Sequence, residues 1–297
     1  MSFAAYQPLL DFFLLSLGFA YSQQVVLRAG VFSIATPAFA ALGGYCSAIL
    51  VQRYGAPAIP SVLLALVIGG VAGFLISIPL ARLRGVFQAI ATLALVQIVV
   101  SLAYYLEPLT GGATGIHNIP KLVNTWHLLA VVAVVIWFMY VLSRSGVGRA
   151  FDVLRQDEMV GATLGVSIAR YHALAFIISG ALGGLFGGLQ SLYVFTIEPE
   201  MFGFAFLTAV LTYIILGGPR SVLGPIVGTA VMVALPEISR PLAEHRQFVQ
   251  GAILMAMIVF LPHGLVDGLE VAWRQRQARR LDKEDREKRR AHAVAGP

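Results

Sequence analysis

Charged residues are scarce in this sequence. They make up 12% of its 297 residues, about half the share found in soluble domains. Apolar residues account for 58%, and the mean hydropathy is +0.80. Because one water-soluble core cannot bury so much apolar surface, lipid is the expected surrounding solvent. The composition therefore predicts a membrane protein and argues against a soluble enzyme or binding domain.

Groups that could perform chemistry are also scarce inside the apolar runs. The single cysteine, Cys46, can form no internal disulfide, and no metal-binding spacing surrounds it. Asp11 is almost the only ionisable residue well inside a run. A membrane enzyme would need converging acids, histidines or metal ligands there, and a secondary carrier would usually need intramembrane charges for ion coupling. Neither class is favoured, and no catalytic or metal-binding residue is predicted.

A phosphate-binding loop of the form G-x-x-x-x-G-K-[ST] is absent, so no ATP site is expected on this chain. The net charge of +6 does not indicate nucleic-acid binding, because nine of the 21 Lys and Arg residues lie in the last 24 positions. This tail, from Trp273 to Arg290, is mixed in sign and compatible with a helix. It is expected to be a solvated helix attracted to anionic lipid headgroups, with docking to a partner as the alternative.

Apolar runs fill most of the remaining chain. Because about 20 apolar residues are needed to cross the hydrocarbon core, we identify nine candidate spans: 7–27, 31–51, 58–80, 86–106, 126–143, 171–195, 203–216, 221–235 and 247–262. The runs 203–216 and 221–235 are short and are separated by Gly217-Gly218-Pro219, so one or both could be broken or re-entrant. The sequence predicts an all-α, polytopic transmembrane helical bundle of about eight or nine spans.

The basic residues orient this bundle, because loops rich in Lys and Arg stay in the cytoplasm. With nine spans and the C-terminal tail inside, the N-terminus lies outside. All but four of the 21 Lys and Arg residues then fall on the cytoplasmic side. The exceptions are Arg53, Lys121, Arg240 and Arg246.

The longest polar segment between two runs is 144–170. Within it, 149–165 is amphipathic and predicts one short helix, ended by Gly165, that lies on a membrane surface or on a partner. Its apolar positions are Ala150, Val153, Leu154, Val160 and Leu164. A lipid-binding helix would be mostly basic, whereas this one mixes Arg149 and Arg155 with acidic residues. The mixed charge favours a protein partner.

Glycines recur at GxxxG spacing in the run 171–195, at Gly180, Gly184 and Gly188. Without side chains, such positions allow two helices to approach backbone to backbone in lipid. We predict that these three residues pack helices together.

Five segments, in chain order, resemble one protein family. They are RLRGVFQAIATLALVQI (82–98), TGGATGIHNIP (110–120), GRAFDVLRQDEMVGATLGVSIARYHALAFIISGALGGLFGG (148–188), LGGPRSVLGPIVGTA (216–230) and LPHGLV (261–266). They are similar to the RLRG block, TGG loop, coupling-loop region, LGG block and terminal Pro-x-Gly-Leu of the branched-chain amino-acid permease family of ABC importers. The RLRG and TGG blocks resemble its M type more than its H type.

The resemblance implies a permease subunit with no cofactor or chemistry of its own. Residues 1–272 would form the transmembrane permease domain, 144–170 its cytosolic coupling loop, and 273–297 a charged cytosolic tail. An H-type permease subunit would complete the pore in the bacterial inner membrane. Two ATP-binding subunits would hold ATP and Mg, and a periplasmic or extracellular solute-binding protein would deliver the solute. The residues expected to couple to the ATPases are Arg149, Arg155, Asp157, Glu158 and Gly165.

Polar residues in one span and in the outer loop are candidates for the translocation path. Gln88 and Thr92 share a helix face, while Gln97 lies elsewhere on the same helix. Because unpaired polar groups are costly in lipid, these residues could either line the path or form hydrogen bonds between helices. The loop 110–120 offers backbone groups that could bind a carboxylate or simply form a turn, at Thr110, Gly111, Gly112 and Gly115.

Departures from the family pattern leave the cargo open. Gln23 stands where Asn is usual, Leu27 where Gly is usual, and Arg220 where a small Gly is usual. Gln23 and Leu27 lie near a predicted pore-lining region. Branched-chain or related amino acids are the first expectation. The alternatives are urea or amides, aromatic acids, sugars or nucleosides carried by a permease of the same superfamily, and, less favoured, an ATP-independent carrier.

Overall fold

The computed structural model describes residues 7–238, 255 and 264–268. Apart from Met255, the predicted span 247–262 lies outside the described residues, as does the tail 273–297. The described helices are α1 (Gln7–Arg28), α2 (Thr36–Tyr54), α3 (Ala58–Leu80), α4 (Val86–Tyr105), α5 (Glu107–Thr110), α6 (Thr125–Arg144), α7 (Gly146–Gln156), α8 (Glu158–Thr163), α9 (Ile168–Tyr193), α10 (Phe204–Gly217) and α11 (Gly224–Ile238). A 3₁₀ turn, Pro199–Phe202, precedes α10.

Most of these helices are membrane-spanning by length and composition. Six described segments meet both criteria: α1, α3, α4, α6, α9 and the stretch Pro199–Gly217. The prediction of an all-α, polytopic protein agrees with this architecture. The predicted count of eight or nine spans is not established, because α2 is less apolar and α11 has only 15 residues.

Helix α9 lies at the centre of the bundle, where glycine lets it touch the backbone of α3. The predicted packing residues Gly180 and Gly184 both face α3. A Cβ at Gly180 would collide with the carbonyl oxygen of Gly69, and one at Gly184 with that of Ala65. Only glycine permits this close approach, which brings many backbone and side-chain atoms into van der Waals contact.

The neighbouring face of α9 packs against α2 in the same way. A Cβ at Gly187 would collide with the carbonyl oxygen of Ala40, and one at Gly43 would collide with the backbone of Gly184. The third predicted residue, Gly188, lies beside Ser47 of α2 and Ala65 of α3. Helices α2, α3 and α9 therefore form one tightly packed unit, and α1 covers it through an edge-to-face contact between Phe19 and Phe186.

The chain between α1 and α2 has no regular secondary structure after the turn at Gly30, and it enters the bundle before α2 starts. Ser22 of α1 donates a hydrogen bond of 2.8 Å to the carbonyl oxygen of Ser179, near the middle of α9, and lies 3.4 Å from the Thr36 hydroxyl at the start of α2. Helix α2 thus begins about halfway across the bundle, five residues later than the predicted run 31–51. Pro37 in its first turn is typical of a helix start.

Hydrogen bonds satisfy the backbone of this largely buried, irregular segment. The backbone N–H of Ile34 donates to the Thr92 hydroxyl at 3.1 Å, and the Gln23 side chain bonds both the Ser33 carbonyl oxygen and the Thr36 hydroxyl. Backbone groups away from water must be paired in this way. The predicted separation of the runs 203–216 and 221–235 agrees with the loop 218–223 between α10 and α11, but the break before α2 was not predicted.

We predict that Gly184→Ala destabilises the protein, whereas Gly70→Ala does not. The alanine methyl at 184 meets the α3 backbone, while one at Gly70 would lie 3.6 Å from the Ala181 Cβ, an ordinary contact. The clash should cost about 1–3 kcal/mol, and Gly70→Ala should be neutral or slightly stabilising. Thermal unfolding of the purified variants in detergent measures both. Equal melting temperatures for the two variants would contradict the role assigned to Gly184.

Candidate functional site

The predicted coupling segment forms two helices instead of one. Helix α7 is capped by Ser145, whose hydroxyl accepts a hydrogen bond of 3.3 Å from the Gly148 N–H. The helix stops at Asp157, which is extended and whose carboxylate accepts hydrogen bonds from the N–H groups of Met159 and Val160 at 2.7 and 3.3 Å. Asp157 is therefore the N-cap of α8. The prediction of one continuous helix over 149–165 is wrong, because this cap starts a new helix.

The two helices differ in how deeply they are buried. Helix α7 buries Ala150, Phe151 and Leu154 against the bundle, and the Phe151 ring meets Tyr171 of α9 edge to face at 6.3 Å. Helix α8 and the residue after it expose their apolar side chains, with relative exposures of 66% at Met159 and 68% at Leu164. Gly165 follows in the left-handed region, φ +79°, and ends the element as predicted.

An ion pair fixes α7 to α1. The Arg28 guanidinium donates two hydrogen bonds to the Asp152 carboxylate, at 3.1 and 3.0 Å, from a side chain that is only 10% exposed. Such a bidentate pair is both directional and strong. A second pair joins Arg84, in the turn after α3, to Glu158 of α8 at 3.6 Å. Because the Arg84 side chain is 69% exposed, this second pair contributes little stability.

Arg155 lies at the inner edge of α7, against the turn after α1. A Cβ at Gly30 would lie 2.9 Å from the Arg155 Cα, so the two backbones are in close contact. Burial and the nearby positive charge of Arg220 lower the pKa of the Arg155 guanidinium. Of the other predicted coupling residues, Arg149 is exposed on α7.

The loop 218–223 is held beside α7 by three side chains. The Asp267 carboxylate accepts hydrogen bonds from the N–H groups of Arg220 and Ser221, at 2.8 and 2.9 Å. From α1, Gln24 donates to the Ser221 carbonyl oxygen at 2.7 Å and Tyr21 to that of Val222 at 2.9 Å. The last helical turns of α1 therefore contact both α7 and this loop. Sequence reasoning missed these contacts, although Asp267 directly follows the LPHGLV segment.

The opposite face of the bundle carries the loop 110–120. The Thr110 hydroxyl donates to the Leu106 carbonyl oxygen at 2.9 Å, and Ile116 and Ile197 exchange two backbone hydrogen bonds of 2.9 and 3.0 Å. Gly115 has φ +75°, and a Cβ there would collide with the Ile197 carbonyl oxygen. Gly111 and Gly112 also have positive φ. These glycines therefore shape a tightly bonded turn.

The polar residues of α4 separate into an inner and an outer set. Thr92 and Gln88 are buried, with Thr92 bonded to the Ile34 N–H and Gln88 donating to the Leu80 carbonyl oxygen at 3.5 Å. Gln97, Ser101 and Tyr105 follow one another at four-residue spacing and are exposed on the outside of the bundle. Thr92 therefore supports the segment before α2, Gln88 bonds the end of α3, and the outer set forms a polar stripe on a membrane-spanning helix.

Comparison with known families agrees with this architecture. Residues 9–261 match the family model described as "Branched-chain amino acid transport system / permease component". The chain belongs to this family. No solved structure matches the chain.

Curated members of this family include permease proteins of high-affinity branched-chain amino acid transport systems. The chain is 30% identical to LivM of Salmonella typhimurium over 276 residues, which cover 82% of this chain and 65% of LivM. LivM of Escherichia coli matches to the same extent. LivH of Salmonella typhimurium is 28% identical over 145 residues, 48% of this chain and 46% of LivH. This chain therefore spans 65% of the length of the LivM proteins that it matches.

We predict that Arg28 and Asp152 are energetically coupled. Arg28→Gln and Asp152→Asn should each destabilise the protein, and the double variant should lose less than the sum, with a coupling energy of about 1–3 kcal/mol. The exposed pair, Arg84→Gln with Glu158→Gln, is the matched control and should couple by less than about 1 kcal/mol. Equilibrium unfolding in mixed micelles measures both cycles. Additive effects at Arg28 and Asp152 would show that the ion pair does not fix α7.

Proposed function

We propose that the chain is a permease subunit of an ABC importer, forming with a second, H-type permease subunit the path for branched-chain or related amino acids. Separate ATPase subunits would bind ATP and Mg and supply the energy. The observation that carries this proposal is the α7–α8 element. A helix fixed to the bundle is followed by a short helix that exposes apolar side chains, on the face of the bundle that is rich in arginine.

The distribution of arginine supports a cytoplasmic position for this face. Lys and Arg are retained on the cytoplasmic side of multi-pass membrane proteins. The ends of helices and the turns on the α7–α8 side carry Arg28, Arg82, Arg84, Arg144, Arg149, Arg155, Arg170 and Arg220. The opposite side, within the described residues, carries Arg53 and Lys121. We therefore infer that this face and the C-terminus, with the tail 273–297, are cytoplasmic. The permease would lie in the bacterial inner membrane with eight or nine spans.

The exposed side chains of α8 provide an attachment point for an ATPase subunit. Met159, Val160 and Leu164 are more than half exposed, and burying such a side chain fully contributes about 1.5–3 kcal/mol. Asp157 and Gly165 define the two ends of this apolar tip, Glu158 is the first residue of α8, and Arg149 is exposed on α7. A cleft in the ATPase that receives the apolar tip and pairs with these charges would hold it firmly.

Motion of the ATPases would pass from α7 to the rest of the bundle through α1. The Arg28–Asp152 pair fixes α7 to α1, and Arg155 packs against the turn after α1. Gln24 and Tyr21 connect the same end of α1 to the loop 218–223. A displacement of α7 therefore acts on α1 and on the α10–α11 hairpin together.

The polar stripe of α4 supports a path between two permease subunits. An exposed Gln in the middle of a span is costly when it faces lipid. Gln97, Ser101 and Tyr105 avoid that cost if they face a polar passage shared with the second subunit. Gln88 and Thr92, which were candidates for the path, would then act indirectly, Thr92 by supporting the segment before α2 and Gln88 by bonding the end of α3. Thr110, Gly111, Gly112 and Gly115 would shape the outer entrance.

The named functions of the relatives support branched-chain amino acids as the proposed cargo. LivM and LivH are named as permease proteins of high-affinity branched-chain amino acid transport, and both resemble this chain. A solute-binding protein outside the membrane would deliver the amino acid. Urea or amides, aromatic acids, sugars and nucleosides are the other small polar solutes that such a subunit could carry.

We predict that Met159→Ser combined with Leu164→Ser uncouples ATP hydrolysis from solute delivery. The double variant removes the apolar tip but leaves the α7 anchor intact. Stimulation of ATPase activity by a leucine-loaded binding protein should fall about tenfold or more, as expected for the loss of about 1.4 kcal/mol of coupling. The measurement uses the full assembly of permease and ATPase subunits in nanodiscs.

Thr163→Ala is the control, because Thr163 is exposed on α8 and its hydroxyl, among the described residues, bonds the Val160 carbonyl oxygen within the same helix. It should keep full stimulation. If stimulation requires a different solute, the importer assignment stands and the cargo assignment fails. If the chain never assembles with an ATPase subunit, the protein is a self-contained carrier or channel instead.

We predict that Ser101 is accessible to water in the assembled transporter. In a Cys46→Ala background, Ser101→Cys should react with a charged methanethiosulfonate reagent at least about tenfold faster than Val71→Cys. Val71 is exposed in the middle of α3 and faces lipid in this proposal. Charged reagents require water around the thiol, because thiolates form poorly in apolar surroundings. Equal rates at both positions would place the path elsewhere.

A further inference from the structure

A half-open cavity of about 1030 Å³ lies beside α7 at the arginine-rich face. Its walls come from the last turns of α6, from α7, from the loop 218–223 and from Asp267. The proposed function assigns no role to this space. Its size is comparable to that of pockets that bind small molecules.

The cavity has an excess of positive charge. Four arginines line it, against the two carboxylates of Asp152 and Asp267, and these arginines are Arg28, Arg144, Arg155 and Arg220. Arg28 and Asp152 neutralise each other, and Asp267 is occupied by two backbone N–H groups. Arg155 and Arg220 lie close enough that their repulsion contributes to the lowered pKa of Arg155. A bound anion would relieve that repulsion and accept hydrogen bonds from both guanidinium groups.

One wall of the cavity is largely apolar and lies at the end of a membrane-spanning helix. It includes Ile136 and Trp137 of α6 and Leu223 of the loop, and Trp137 is 66% exposed. Tyr140, one turn further along α6, has the Arg144 guanidinium over its ring at 4.5 Å. Exposed Trp and Tyr residues near a helix end are typical of the boundary between lipid tails and headgroups. The cavity therefore spans that boundary.

We propose that this cavity binds the headgroup of an anionic phospholipid of the surrounding leaflet, with its phosphate at Arg155 and Arg220 and an acyl chain along Trp137 and Ile136. A soluble phosphate or nucleotide would satisfy the arginines but would leave the apolar wall against water. A zwitterionic lipid would match the wall but would not neutralise the excess charge. Basic pockets between spanning helices on the cytoplasmic side recognise lipids by this combination.

Arg220 offers a clean test of this proposal. Its backbone N–H makes the structural bond to Asp267, while its side chain is exposed, so Arg220→Gln changes the cavity charge without breaking that bond. Arg220→Lys keeps the charge. Arg170→Gln, at an exposed arginine on the same face that does not line the cavity, is the matched control.

The experiment is native mass spectrometry of the full transporter assembly titrated with phosphatidylglycerol or phosphatidylcholine. Wild type, Arg220→Lys and Arg170→Gln should retain phosphatidylglycerol in preference to phosphatidylcholine. Arg220→Gln should bind phosphatidylglycerol about fivefold more weakly. Equal binding of the two lipids by wild type, or unchanged binding by Arg220→Gln, would overturn the proposal. Displacement of the lipid by millimolar inorganic phosphate would identify a soluble-anion site instead.

Discussion

The contact of α9 with α2 and α3 is the constraint on which the rest of the fold depends. Because no hydrophobic force drives helices together in lipid, their association depends on close van der Waals contact. Gly180 and Gly184 give α9 that contact with α3, and Gly187 gives it with α2. The two ends of α9 then fix both faces of the bundle. Tyr171 near its start meets Phe151 of α7, and Ile197 after its end pairs with Ile116 of the outer loop.

The close packing of α2 on α9 is accompanied by a break in the first helical hairpin. Because α2 begins level with the middle of α9, the residues between α1 and α2 must enter the bundle without helical hydrogen bonds. Gln23, Ser33 and Thr92 provide the missing partners. Irregular backbone at membrane depth is tolerated only when it is buried and bonded in this way. The polar residues near this break therefore stabilise the fold, and any part that they take in transport has to preserve these hydrogen bonds.

Much of the fold could be predicted from the sequence, because the length of an apolar run is a local property. Eight of the nine predicted runs lie in described residues, and each coincides with a helix to within five residues at either end. The family resemblance also singled out 110–120 and 144–170, although one helix was predicted where α7 and α8 form. The cap at Asp157 is also local, and an acidic residue followed by a new apolar turn could have indicated it.

The site was harder to predict because its contacts join distant parts of the chain. Arg28 and Asp152 are 124 residues apart, and no periodicity relates them. Gln88 and Gln97 both appeared as polar residues within one apolar run, yet one is buried and the other exposed. Only the packing of α4 against its neighbours decides which of its faces is buried and which is exposed. Long-range pairing and the choice of helix face are therefore the parts that sequence patterns cannot supply.

The different attachment of α7 and α8 suits a part that transmits force. Helix α7 is buried along one face and is fixed by a bidentate ion pair, so that in the proposed function it would move with α1. Helix α8 has six residues, one cap and one exposed ion pair, so that it can adapt to a partner surface at small cost. Because α7 is rigid, it would act as a lever that transmits most of a displacement applied at α8 and bends little itself. The Gly-mediated contact between α3 and α9 supplies the fixed body against which such a lever can act.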